Sequence, residues 1–98
     1  MKINQTDLEI LERRFSDYIL MAIYENPMST KTDIMRLESG FEKTKFQRIN
    51  ELIAAGFIEL VKSENFSTSR LMLTSKGKSV AEKLLEIRDI ICIPSEPI

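Results

Sequence analysis

Apolar residues recur along the first quarter of the chain as Leu8, Leu11, Phe15, Tyr18 or Ile19, and Ala22. Steps of three and four place them on one face of a helix. From Tyr18 to Tyr24 the run is apolar all round, which predicts burial on more than one side. Thr6-Asp7-Leu8-Glu9 has the order of a capping box, and Asn26-Pro27 predicts the end. Phe15-Ser16-Asp17 is a possible interruption, so one helix and two helices are both compatible with residues 6–25. The next pattern is short. Ser29 or Thr30 is suited to cap a helix of about two turns carrying Ile34, Met35 and Leu37, with Asp33 at its positive end. Ser39-Gly40 breaks it, Gly40 supplying the left-handed conformation of a sharp turn. A third helix opens near Glu42 or Lys43, with Phe46, Ile49, Leu52 and Ile53 as its expected inner face and Gly56 as its cap.

After Gly56 the period changes. Phe57–Lys62 and Arg70–Thr74 read as strands joined by the polar tip Ser63–Ser69, a hairpin. Phe66 is the one apolar residue at that tip and is expected to fold back onto the hairpin. A last helix starts at Thr74 or Ser75, where Gly77 is tolerable because little of the helix precedes it. Val80, Leu84, Ile87 and Ile91 form a short heptad seam, and Pro94 and Pro97 stop it. The expected fold class is mainly α with a small β-hairpin. Two helices around a glycine turn, followed by a hairpin, make a winged helix-turn-helix. Residues 1–92 are read as one domain, with the helix-turn-helix at about 30–55, the wing at about 57–74, the C-terminal helix at about 75–92, and 93–98 as a loose tail.

Composition narrows the function. The 98 residues hold 14 Lys+Arg against 15 Asp+Glu, a net charge of −1, so bulk polycation behaviour is excluded. There is no His and one Cys, Cys92, which removes a His-containing triad, a histidine zinc site and a CxxC pair from a single chain. Carboxylate pairs such as Glu9/Glu12 and Glu82/Glu86 read as helix-surface charge, and no phosphate-cradling glycine loop is present. The expectation is a non-enzyme without cofactor or metal. With no apolar run beyond seven residues and no signal-peptide core, a cytoplasmic, nucleoid-associated protein without membrane contact is expected.

Charge is unevenly spread. Residues 27–78 carry nine Lys/Arg against six Asp/Glu, whereas 1–26 and 79–98 are each negative by two. A basic centre between acidic flanks fits a DNA-facing helix-turn-helix and wing. If the third helix buries Phe46, Ile49, Leu52 and Ile53, then Lys43, Thr44, Lys45, Gln47 and Arg48 point outward. These residue types pair with guanine, adenine or phosphate. Thr30 and Lys31 at the second helix start suit phosphate. Lys62, Asn65, Ser67 and Arg70 on or beside the hairpin tip suit phosphate or the minor groove. The apolar seam of the last helix outruns a domain this small, so a second copy is its expected partner. The interface is expected to use Leu8, Leu11, Phe15, Val80, Leu84, Ile87 and Ile91.

Several steps then fall in a familiar order: Lys31-Thr32-Asp33-Ile34-Met35 with Gly40, then Phe46, Ile49, Leu52 and Ile53, then Gly56-Phe57-Ile58, then Leu73-Thr74-Ser75-Lys76-Gly77. Over about residues 16–90 the chain resembles the small archaeal winged-helix DNA-binding proteins, the family that includes small chromatin-associated proteins of thermoacidophiles. More distantly it is similar to bacterial winged-helix repressors of the multiple-antibiotic-resistance class. The resemblance implies double-stranded DNA as partner and a homodimer joined through the C-terminal helix, often as an antiparallel coiled coil. Two departures qualify it: the chromatin relatives are basic with a long final helix, and this chain is slightly acidic with a helix ending before Pro94. They favour a site-specific transcriptional regulator with a compact helical interface. The alternatives are a winged-helix protein-interaction module without DNA binding and a nonspecific chromatin architectural protein.

Overall fold

The computed structural model describes Asn4 and residues 7–93. The first periodic stretch is two helices, α1 (Glu9–Glu12) and α2 (Ser16–Glu25). The break is Phe15, whose φ of 71° lies in the left-handed region, where a helical ladder does not continue. The expected capping box involves Thr6, outside the described residues. α1 is led in by Leu8, with no side-chain cap, and Asp7 Oδ2 accepts the Asn4 N–H at 2.9 Å.

The apolar run Tyr18–Tyr24 makes α2 the axis of the core. Ile19, Leu20 and Ile23 are fully buried, and the helix packs along α5 and also meets β2, α4 and α3. Asn26 closes α2, its side-chain Nδ2 donating to Ala22 O at 2.8 Å. α3 (Lys31–Arg36) begins with a full capping box in which Thr30 and Asp33 bond each other's backbone. α4 (Glu42–Ala54) contributes Ile49 and Leu52 to the core. It ends as expected at Gly56, φ +86°, where Phe57 N donates to Leu52 O and Gly56 N to Ile53 O, a Schellman closure.

β1 (Ile58–Val61) and β2 (Arg70–Leu73) pair antiparallel, with Ile58 opposite Leu73 and Val61 opposite Arg70. The other edge of β2 is not open. Met28 N donates to Leu71 O and Leu71 N to Ser29 O, so the segment before α3 ties the hairpin to the helices. Phe66 is half-buried, with the Arg70 guanidinium 5.2 Å from its ring.

α5 (Ser75–Cys92) starts from Thr74, whose hydroxyl accepts the Gly77 N–H and donates to Gly56 O at 2.6 Å. Gly77 has a larger part than tolerance. It lies against Phe57, and a Cβ there would stand 1.9 Å from the Phe57 carbonyl oxygen. Ala81 is buried, and exposure rises beyond it, reaching half at Ile87 and three-quarters at Ile91. Among the described residues no helix is long and apolar enough to cross a membrane. Of the expected tail 93–98, residues 94–98 lie outside the described part.

Candidate nucleic-acid interface

The helix-turn-helix is α3, the turn through Gly40, and α4. Gly40 has φ +97° and Phe41 φ +57°. Two left-handed residues in succession give the sharp reversal expected of Gly40 alone. α4 is also rotated about its axis relative to the expected orientation. Lys45, expected on the outer face, is 1% exposed. Its ammonium donates to Glu38 O at 2.6 Å and, more weakly, to Met35 O at 3.5 Å. It thus satisfies carbonyls at the end of α3, where a cation is favoured. Phe46, expected in the core, is 44% exposed.

Arg48 also departs from the outward set. Its Nε donates to Arg14 O at 2.9 Å and its Nη1 to Glu51 Oε2, and its side chain is only 12% exposed. Glu51 also receives Arg13 at 3.0 Å. Burial alone would push the Glu51 carboxyl up, but bonds from Arg13 and Arg48, with their charges, hold it below the ordinary value. These bonds bind α4 to the α1–α2 junction. Arg14 lies over Phe41 at 4.0 Å and over Phe15 at 4.9 Å.

The face of α4 that meets solvent therefore runs Lys43, Phe46, Gln47, Asn50, Ala54, with Glu51 at its side. Lys43 and Gln47 are exposed as expected and Thr44 is half-buried. Lys31 projects from α3 across this face, donating to Asn50 Oδ1 at 2.8 Å, with its ammonium 5.0 Å from the Phe46 ring. Thr30 is the α3 cap. Its backbone N–H and hydroxyl hold the Asp33 carboxyl below its usual value. A shallow groove lined by Lys31, Thr32, Phe46, Leu60, Thr68 and Ser69 links α4 to the hairpin. Lys62, Asn65 and Ser67 are exposed on the hairpin. Arg70 lies beside the tip, as the first residue of β2 opposite Val61, but it is half-buried, with Nη1 3.4 Å from Met28 O.

Sequence reasoning missed Phe46 and Asn50 as members of this face. The available signal was helical: with Lys43 outward, positions 46, 47 and 50 share its side.

The second candidate surface is apolar. Leu8, Leu11, Val80, Leu84 and Ile87 line one groove between α1 and α5 together with Ser79 and Lys83. Ile91 lies further along α5, exposed with Ile90 and Ile93. Phe15 does not join them. The left-handed turn carries its ring to Phe41, centroids 5.6 Å apart.

No protein-family model matches the sequence, and no curated protein matches it. Solved structures do match. A possible HxlR family transcriptional factor from Thermoplasma volcanium aligns over 93% of this chain and 84% of its own, with TM-score 0.77 and 22% identity. A protein from Archaeoglobus fulgidus aligns over 89% and 98%, TM-score 0.71, 21% identity. The transcriptional regulator SlyA aligns over 86% of this chain and 61% of its own, TM-score 0.73, 24% identity. The fold is a winged helix. In it α4 is the second helix of the helix-turn-helix and the β1–β2 hairpin is the wing. At these identities the likeness is one of fold.

Proposed function

We propose that this winged-helix chain is a transcriptional regulator that binds double-stranded DNA as a homodimer. One observation carries the reading: the outer face of α4 stands open to solvent between Lys31 and the wing, with Lys43 and Gln47 in its first two turns. A helix so presented enters the major groove, and its first turns meet the base edges. Lys31, Lys43 and Lys62 take phosphates, which fixes register, and Asn65 and Ser67 reach the flanking backbone. Thr30 caps α3 and so aims Lys31. A second copy seated on the α1–α5 groove doubles the contacts and sets two half-sites. The mechanism is occupancy of a site near a promoter, without chemistry.

The test is a gel-shift titration of the full chain against genomic fragments at two salt concentrations. Three lysines per protomer, six per dimer, imply a slope of about −5 in log K against log salt, or roughly a 10³-fold loss between 50 and 200 mM. Random-sequence competitor should leave a preferred fragment bound by a margin of roughly 10³-fold or more. Equal competition by random duplex would instead assign a nonspecific architectural role. Absence of duplex binding in dilute buffer would assign a protein-interaction module.

A further inference from the structure

The rotation of α4 changes what its outer face can read. Arg48, the group best suited to the acceptor pair of guanine, is bonded to Glu51 and to Arg14 O, and Lys45 is sealed against the end of α3. What remains at the centre of the face is an aromatic ring and two carboxamides. Phe46 forms the wall shared by two shallow depressions, one towards the wing and one along α4. Gln47 lies beside it, its Nε2 3.4 Å from Glu51 Oε1 with one N–H left open, and Asn50 is one turn on.

We propose that this face is a reader of A·T base pairs, with the Phe46 ring packed on a thymine C5-methyl and Gln47 and Asn50 on adenine. The inference rests on the DNA-binding reading above and names the bases that site takes. Carboxamides match the N6 donor and N7 acceptor of adenine, and an apolar side chain matches the methyl group that distinguishes thymine in the major groove. Lys31 supports the arrangement in two ways. Its bond to Asn50 Oδ1 orients the carboxamide and leaves a second lone pair on that oxygen. Its ammonium over the Phe46 ring brings positive charge to the aromatic spot on the face, so the patch suits a methyl group embedded in a polyanion. Lys43, one turn earlier, is a point charge for phosphate. Glu51, the carboxylate that would select cytosine, is occupied by Arg13 and Arg48.

The experiment has two stages with the full-length chain. Selection from random duplexes gives the preferred site. Each thymine in it is then replaced singly by uracil, which removes one methyl group and leaves pairing intact, and affinity is measured for the native chain and for Phe46→Ala. The expected result is an A·T-rich core and, at one thymine per half-site, about a fourfold loss on uracil substitution, the worth of one buried carbon. Phe46→Ala should bind more weakly and lose that sensitivity, while Gln47→Ala relaxes preference for an adenine. A guanine-rich core, or a native chain that binds its site and ignores every uracil, overturns this inference and leaves the DNA-binding reading standing. Absence of duplex binding overturns both. Because the decisive change is made in the DNA, the result does not depend on a variant that must fold.

Discussion

Replacing Gly77 by alanine is the sharpest test of how the wing is joined to α5. On helix propensity alone the change should stabilise the protein by up to ~1 kcal/mol, since glycine is the poorer helix former. The packing argues the reverse. An added Cβ would sit 1.9 Å from Phe57 O, 2.9 Å from its carbonyl carbon and 3.2 Å from its Cα, all backbone atoms. Backbone has no rotamer by which to retreat, so α5 must move away from the start of β1 by on the order of 1.5 Å to reach ordinary contact at ~3.4 Å. That movement pulls on Thr74, whose N–H donates to Phe57 O and whose hydroxyl bridges Gly77 N and Gly56 O. Overpacking costs about 1–3 kcal/mol, and loss of the helix cap adds about 1 kcal/mol. Set against the propensity gain, the net expectation is a loss of about 1–3 kcal/mol. For a domain this size that is a fall in Tm of roughly 5–20 °C. The assay is thermal and urea denaturation followed by circular dichroism, both proteins at one concentration because self-association would shift apparent stability. A Gly77→Ala protein as stable as the native chain, or more so, would refute the close approach of α5 to Phe57.

Lys43→Ala should weaken duplex binding and leave stability within about 0.5 kcal/mol. Lys45→Ala should cost roughly 2–4 kcal/mol in urea denaturation, because it strips the donor from Glu38 O and leaves a void where the buried stem lay. The reverse ranking in denaturation would place Lys45 on the surface. Leu84→Glu combined with Ile87→Glu should give a monomer of 11.3 kDa by light scattering, and an unchanged dimer mass would remove the α1–α5 groove as the interface. Asp33 is held below its ordinary pKa by Thr30. Its stabilisation is therefore complete above the unfolded value of about 3.9 and is lost as pH falls through the lower folded value. Asp33→Asn should accordingly be less stable than the native chain near neutral pH, with the gap closing below about pH 4. A gap that stays constant across an acid titration would contradict the capping box.

The order of elements is legible in the sequence because each boundary carries its own chemistry. Thr30 with Asp33 starts α3, Gly56 ends α4, and Thr74 starts α5. The rotation of α4 is not legible, and the reason is specific. Positions 45 and 46 both stand a helical step from Ile49, four residues and three residues away. Hydrophobicity favours Phe46 for the interior. The end of α3, however, presents carbonyls that only a donor can satisfy, and the Lys45 stem is long and apolar enough to cross the core boundary. That demand arises from a neighbouring helix, so no periodicity within α4 registers it. The interruption at Phe15-Ser16-Asp17 is legible, but the left-handed turns at Phe15 and Phe41 are not, for a related reason. Their left-handed backbones are held by packing of the two rings beneath Arg14, and neither carries the glycine that would signal such a turn. Gly77 was visible as a glycine, yet its necessity lies in Phe57, twenty residues earlier.

The bonds Arg13–Glu51 and Arg48–Arg14 O join α4 to the short segment whose Leu8 and Leu11 line the apolar groove. In a dimer built on that groove these bonds act as a strut on each side of the two-fold axis. The distance between the paired α4 helices then becomes a built-in ruler, and operators whose halves are out of step with it by a few base pairs would be refused whatever their bases.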